Sequence, residues 1–283
     1  MISQARHNAI ARWTSRGMLS LCIAFTAVIL LLLVLVTGYL VSIGIHSISL
    51  DFFTQVPSGD PKNPGGMRNA IEGTIILVAL ASIVGIPIGM LVGVYLSEYS
   101  VGSRLASPAR FISDVLAGVP SIVVGILGYE LLVVPLGTYN GWAGALALAF
   151  IMIPIVARTT EEMLLLIPNS YREASIALGA TKAGTILKVV VPSATGSIVT
   201  GVMLAIARVA GETAPLLFTA LGSRLLTHNP NLPFPSLTVQ IFNYATGPSP
   251  EFKRLAWAGI LVLIMLIFVL NLLIRFVTAR RRA

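Results

Sequence analysis

The sequence predicts an all-α polytopic membrane protein of six transmembrane helices with one helical hairpin on the cytoplasmic side. Three observations carry this. Of 283 residues, 56% are hydrophobic and 11% charged, whereas soluble domains carry about 25% charge. Six apolar runs reach the roughly 20 residues that a helix needs to cross a bilayer, where backbone polar groups must be satisfied internally. The third observation is Ser170–Pro192, a long polar-interrupted segment between two apolar blocks that itself reads as helical.

Composition also excludes. The longest polar segments run to about 30 residues, so no separate soluble domain is expected. No GxxxxGK[ST] phosphate loop and no histidine–glutamate metal motif occurs. The single cysteine, Cys22, lies in an apolar run, so neither an intrachain disulfide nor a cysteine metal site can form. The net charge of +8 reads as the excess that topology demands at span ends, not as affinity for nucleic acid. The first apolar run is too long for a typical cleaved signal peptide and reads as a retained anchor.

The spans are expected near Met18–Ile43, Thr74–Leu96, Phe111–Leu136, Trp142–Leu165, Ala194–Leu217 and Leu255–Val277. An even number places both termini on one side. Thirteen Lys and Arg residues fall on one face and five on the other, and the richer face is cytoplasmic. The chain then divides into a cytoplasmic N terminus (1–17), a six-span domain (18–277, with the hairpin loop at 169–192) and a basic cytoplasmic tail (278–283).

Before the second span, Asn69 with Glu72 reads as an N-terminal cap. Within it, Gly85, Gly89 and Gly93 form a smooth ridge for close helix packing, and Pro87 predicts a kink. In the third span, Asp114 is placed in the first turns, where it complements the positive helix end. Pro120 and Ser121 follow a glycine, and this interruption either merely kinks the span or exposes helix ends to a pathway. Glu130 reads as interfacial. In the fourth span, Arg158 lies ~24 Å from Trp142 along the axis. It either snorkels to the interface, the reading favoured, or lines a pathway.

The fifth span holds the chemistry. Arg208 lies ~21 Å along the axis from the start of the span, too deep to snorkel easily, and a charge at that depth faces a cavity or a partner. Glu212 is one turn further on, so an i,i+4 pair is available. The pair is either structural or a cationic anion site balanced by a carboxylate, and intramembrane ionisable groups favour the second. Gly211 and Pro215 permit local bending. In the last outer loop, the stretch 236–245 reads as a short amphipathic piece at the outer mouth, serving an external partner or a pathway rim. Arg280, Arg281 and Arg282 read as an anchor at anionic lipid.

The hairpin reads as two short helices. Ser170 and Glu173 fit a capping box. Tyr171, Ala174 and Leu178 repeat on one modest apolar face. Gly179 suits a left-handed helix end, Thr181 caps the second helix, and Pro192 is expected to stop it.

These residues resemble the coupling loop of permease subunits in ATP-binding-cassette importers. That family's pattern of Glu-Ala-Ala, three residues, Gly, nine residues, Ile-x-Leu-Pro stands here as Glu173-Ala174-Ser175, Gly179 and Val189-Val190-Val191-Pro192. Ser175, Val189 and Val191 depart from it by small or apolar exchanges. GGMRNAIEGT, YLSEY, GVPSIVVG, GWAGALALA, PIVARTTEEML, LAIARVAGETAPLLFTAL and LAWAG, in order, are similar to permeases of phosphate importers over roughly Gly65–Val277. The resemblance implies the type I importer permease fold and a subunit with no catalytic residue or cofactor of its own. The implied partners are a second, similar permease, a dimer of ATPase subunits that binds ATP-Mg, and an extracytoplasmic phosphate-binding protein. Phosphate and the lipid bilayer are implied as well, in the inner membrane.

ATPase coupling is then expected at Ser170, Tyr171, Arg172, Glu173, Ala174, Ser175, Leu178, Gly179, Thr181 and Lys182. The family's RxxxET pattern falls on Arg208, Glu212 and Thr213, so the substrate pathway is expected there, with Arg158, Pro120 and Ser121. Glu212 either takes a proton from phosphate or draws Arg208 away when the gate closes. Rival readings are a permease for sulfate or molybdate, which would not share GETAPLLFTA, and a proton-coupled secondary transporter, which would not need the hairpin. An intramembrane hydrolase lacks a constellation, since His7, His46 and His228 all lie outside the expected spans.

Overall fold

The computed structural model describes residues 2–60, 64–100 and 104–280, with side chains described over 13–276 within those stretches. Lys62, Arg281 and Arg282 lie outside the described residues. Among the described residues the protein is helical, with two isolated bridges, Pro57–Gly65 and Leu221–Phe234, and no strand. In chain order the helices are α1 (Ile2–Gly44), α2 (Leu50–Thr54), α3 (Arg68–Glu98), α4 (Ala106–Gly118), α5 (Ser121–Gly128), α6 (Val134–Leu136) and α7 (Gly141–Leu165). There follow α8 (Asn169–Ala177), α9 (Lys182–Thr185), α10 (Val191–Ala210), α11 (Ala214–Thr219), α12 (Leu237–Thr246) and α13 (Pro250–Arg280). Wide π turns at Tyr129–Val133 and Ile186–Val190 join α5 to α6 and α9 to α10.

Five rods among the described residues are long and apolar enough to cross a bilayer: Trp13–Ser47, Arg68–Glu98, Gly141–Leu165, Lys182–Ala210 and Pro250–Phe276. The expected third span is not one helix. Ala106–Gly118 and Ser121–Leu136 meet at 102°. A residue before proline is driven out of the α region; Val119 is extended at φ −66°, ψ 131°, and the helix restarts behind Pro120.

The bent segment still has to cross. Gly85, Gly89 and Gly93 of α3 meet Met152, Val156 and Thr160 of α7 in rising order, so α3 and α7 run parallel. The chain must therefore return through the thickness of the bundle between them, and α4–α6 make that return. The glycine ridge works as expected, since all three glycines are buried. A Cβ on Gly89 would lie 2.7 Å from Val156 Cβ, and one on Gly93 2.6 Å from the Ala157 carbonyl oxygen. α3 runs through Pro87 without a break in the helix.

α10 packs antiparallel on α7, with Gly201 against Thr159 and Leu164 clustered with Val190, Ala194 and Ile198. The main core gathers Leu77, Leu148, Met152, Val156, Val209 and Leu216 from α3, α7, α10 and α11. A second core of Phe52, Met67, Leu237, Tyr244 and Ala258 seats the first loop and α12 against α13. The expected amphipathic piece is thus α12: Leu237, Val239, Gln240 and Tyr244 are buried while Phe242 and Asn243 are exposed, and Tyr244 stacks on Phe252 at 4.6 Å between ring centres. The most apolar window of the first rod has no buried residue in this chain, as suits a helix surrounded by lipid. It touches α13 through Gly44 on Trp257 and Leu261.

The expected cap of the second span is replaced by tertiary bonds. α3 begins at Arg68, one residue before Asn69, with no side-chain cap. Asn69 is buried and donates Nδ2 to the Ser223 carbonyl at 2.7 Å. Glu72 accepts from Arg68 Nε at 2.7 Å and pairs with His228 Nε2 at 3.0 Å. Both side chains hold the last outer loop on the end of α3, a demand of packing that local sequence does not encode.

Candidate functional site

Two interrupted spans and the hairpin make the site. The fifth span, expected to be continuous over Ala194–Leu217, is broken. α10 ends at Ala210 and α11 starts at Ala214. A continuous helix would need the Pro215 nitrogen to donate to the Gly211 carbonyl, and proline has no N–H. Instead, the Gly211 and Glu212 N–H groups donate to the Arg208 and Val209 carbonyls, each at 3.1 Å, which tightens the end of α10. The Thr238 hydroxyl donates to the Glu212 carbonyl at 2.9 Å. Arg208 stands in the last turn of α10, where the partial negative charge of the helix end favours a cation.

The expected i,i+4 pair forms, but loosely. Arg208 Nε and Glu212 Oε1 are 3.8 Å apart, and the two side chains are 55% and 14% exposed. That exceeds hydrogen-bond length, so the Arg208 donors are not consumed by the carboxylate. Thr213 precedes α11 and makes no side-chain cap bond.

The first break is brought alongside the second. Gly125 of α5 packs on Ala214 and Pro215, and Gly128 on Thr219, so α5 and α11 run parallel. Continuing that register backwards brings Pro120 and Ser121 to within about one helical turn of Gly211 and Glu212. Both helices of this pair start at a break, and the two starts lie within about one helical turn of each other.

Arg158 lies elsewhere. Gly201 faces Thr159, and Arg208 is seven residues beyond Gly201, or about 10 Å along α10. Arg158 is half-exposed and held by Glu162 Oε1 at 2.7 Å and Asp114 Oδ1 at 3.2 Å. Two carboxylates thus fix the guanidinium that was read as reaching the interface. Asp114 is likewise displaced from its expected place. α4 starts at Ala106, so Asp114 lies past its middle and serves Arg158, not the helix N terminus.

Sequence reasoning missed a neighbouring pair. Arg110 of α4 donates Nε to Glu161 Oε1 at 2.6 Å and Nη2 to the Leu96 carbonyl at 2.8 Å. Glu161 is buried. The available signal was a carboxylate inside an apolar helix, which must find a partner.

The hairpin forms with two corrections. α8 begins at Asn169 directly behind Pro168, with no side-chain cap. Ser170 is therefore already helical, and the Ser170–Glu173 capping box does not form. Pro192 does not end the second helix either. The Val191 N–H reaches back to the Ile186 carbonyl through the π turn, so Pro192 falls in the first turn of α10, where its missing N–H costs least. Lys182–Ala210 is one 29-residue rod. The modest apolar face is exposed, with Tyr171 at 53% and Leu178 at 90%.

Other expectations hold. Gly179 takes φ +87°, and the Gly179 and Ala180 N–H groups donate to the Ile176 and Ser175 carbonyls, a left-handed helix end. Thr181 accepts from the Gly184 N–H at 3.2 Å. Ser175, the departure from the family pattern, bonds Thr185 of the other arm at 2.9 Å between hydroxyl oxygens. Glu173 and Ala174 face solvent. Arg172 faces inward. It meets the Glu98 carboxylate at 2.6 Å and donates to the Ile167 and Leu164 carbonyls at 2.7 and 3.0 Å. The Glu98 bond holds the Arg172 pKa above its ordinary value, and burial opposes this. Lys182 stands 4.4 Å above the Tyr99 ring.

Residues 85–283 match the family of binding-protein-dependent transport system inner membrane components. The chain is 44% identical to the phosphate transport system permease protein PstA of Haemophilus influenzae, over 83% of each chain. With PstA of Yersinia pestis the identity is 40% over 100% of this chain and 96% of the relative. Among solved structures, the inward-facing MetNI methionine ABC transporter aligns with a TM-score of 0.56 at 22% identity, covering 76% of this chain and 92% of that one. An amino acid ABC transporter aligns with a TM-score of 0.51 at 20% identity, over 83% of this chain and 100% of that one. At such identities the structural likeness shows a common fold.

Proposed function

Because this chain belongs to the binding-protein-dependent transport system inner membrane components, and within them to the phosphate transport system permeases, we propose that it forms one half of a phosphate path driven by a separate ATPase. The fold is that of the type I importer permeases. The proposed assembly has a second, similar permease across the path, two ATPase subunits that bind ATP-Mg under the hairpins, and an extracytoplasmic phosphate-binding protein. It sits in the inner membrane with both termini cytoplasmic. This chain acts as a transport subunit and contributes no catalytic group.

The observation that carries this reading is the unbroken rod from Lys182 to Ala210. It joins the second arm of the exposed hairpin to Arg208 as one continuous helical rod through the π turn at Ile186–Val190. Closure of the ATPase dimer on ATP would draw the hairpins together and move the Arg208 end of α10, turning the two halves outward. Hydrolysis would reset them. Phosphate is an anion that accepts bonds on several oxygens, and arginine is a forked, permanently charged donor. The loose 3.8 Å contact to Glu212 leaves that fork available while keeping a carboxylate close enough to compete for it.

In cells lacking their own copy, the chain with its partners should restore labelled phosphate uptake that excess sulfate or molybdate does not reduce. Uptake competed by sulfate or molybdate would move the assignment to those oxyanions. The coupling arm is tested by Ala174→Cys, whose exposed thiol is expected to cross-link to a cysteine on the ATPase subunit. Failure of every ATPase cysteine to cross-link in an assembled complex would remove the hairpin from that interface.

A further inference from the structure

Three cations from three different elements converge on the last turn of α3. Arg172 of α8 meets Glu98, whose side chain is 5% exposed, with Glu98 Oε1 2.6 Å from Nη2 and Oε2 3.0 Å from Nε. Lys182, the first residue of α9, lies over the Tyr99 ring at 4.4 Å, within the range of a cation–π contact. Arg110 of α4 donates to the Leu96 carbonyl at 2.8 Å and to the Ser100 hydroxyl at 3.1 Å. Both arms of the hairpin and the first half of the bent span are thus attached to one five-residue stretch, 96–100.

The chemistry of the three attachments suits this end of a helix. The last carbonyls of a helix lack intrahelical donors and carry partial negative charge, so cations gather there. Arg172 also takes the Leu164 and Ile167 carbonyls at the end of α7, so one guanidinium staples the ends of two parallel helices. Arg110 continues the chain of contacts, since it holds Glu161 of α7 at 2.6 Å, and one turn further along α4 Asp114 holds Arg158. α4 leads directly into the 102° bend at Pro120.

We propose that the 96–100 stretch is a positioning hub that couples the hairpin to the bent span, a second route beside the rod that leads to Arg208. Glu98 and Tyr99 are its positioning residues: they touch no substrate, and they fix the hairpin so that its displacement carries α3, α7 and α4 together. Displacement of the hairpin then acts on both breaks, Gly118–Pro120 through α4 and Gly211–Thr213 through α10. The two breaks precede the packed pair α5 and α11 and lie within about one helical turn of each other. The inference rests on the proposed role of the hairpin as the ATPase dock.

The test uses the whole complex in proteoliposomes with phosphate-loaded binding protein, reading phosphate transported per ATP hydrolysed. Glu98→Gln keeps size and removes the charge. It is expected to lower that ratio roughly tenfold, within the range of coupling between linked sites, while basal ATP hydrolysis and subunit stoichiometry stay at wild-type values. Tyr99→Leu leaves the buried ion pair intact and is expected to lower the ratio about threefold, a loss matching the modest worth of one cation–π contact. Tyr99→Phe, which keeps the ring face, should restore it. A ratio unchanged in both Glu98→Gln and Tyr99→Leu complexes would overturn the hub. Should Glu98→Gln fail to assemble, Tyr99→Leu with Tyr99→Phe decides alone. A wild-type complex whose ATP hydrolysis is not stimulated by loaded binding protein would instead overturn the underlying importer reading.

Discussion

Arg208→Gln is expected to lower phosphate uptake roughly a hundredfold or more, with the complex still assembled. Hydrogen bonds to charged groups contribute about 1.5–3 kcal/mol each, so losing two from a forked contact to phosphate costs about 3 kcal/mol, or two powers of ten. Assembly should survive because Arg208 is 55% exposed and its contact to Glu212 is 3.8 Å; the fold gains little from it. Arg208→Lys keeps the charge and loses the fork, so uptake should fall by roughly tenfold. The measurement is initial-rate uptake of labelled phosphate against the amount of chain that co-purifies with its partners. Normal uptake by an assembled Arg208→Gln complex would remove Arg208 from the path.

Gly93→Leu should destabilise the fold and lower its abundance, for a reason unrelated to phosphate. The first atom of any side chain at Gly93 meets the Ala157 carbonyl oxygen and Thr160 Cβ, both at 2.6 Å. A backbone oxygen cannot rotate away, so α3 and α7 must separate along the ridge that also holds Gly85 and Gly89. Overpacking of this kind costs about 1–3 kcal/mol or more, and losses of that size change cellular abundance several-fold. Quantified in membranes, Gly93→Leu should fall to roughly a tenth of wild type. Gly38→Ala is the control, because a Cβ at Gly38 meets nothing within 4 Å and abundance should hold. Equal abundance of the two variants would mean that the ridge contact contributes little.

The two substitutions separate what the bundle needs from what transport needs. α3 and α7 form a rigid parallel pair through glycines, and that pair carries the attachments of the hairpin. The charged groups at the breaks are held less tightly. Arg158 has two carboxylate partners and Arg208 one distant one. Of these two guanidiniums, the one with more unused donor capacity is therefore the one that stands beside the two helix breaks.

Much of this was legible from sequence because it depends on local chemistry or on periodicity. Apolar runs near membrane length announced the spans. Small residues every fourth position announced the ridge. The positive φ at Gly179 and the cap at Thr181 follow from what glycine and threonine do at helix ends. Other features depended on which surfaces meet, and were misread. Asn69 and Glu72 fit a cap by spacing, yet both are drawn off to the loop around Ser223 and His228. Ser170 fits a cap by type, yet Pro168 starts the helix before it. Arg172 looked like a surface residue of a docking hairpin, and Glu98 like part of a motif; only the return of the chain brings them to 2.6 Å.

By itself the sequence determined the class, the spans to within a few residues for most helices, and the two charged positions Arg208 and Glu212. Proline and glycine also marked both breaks, since a missing N–H is a local fact. The tertiary structure decided how the breaks are arranged. The parallel packing of α5 on α11 sets them within about one helical turn of each other, and the parallel packing of α3 on α7 forces the bent span to cross. A helix cannot specify from within which neighbour it will lie against, because side chains far apart in sequence supply the other half of every such contact.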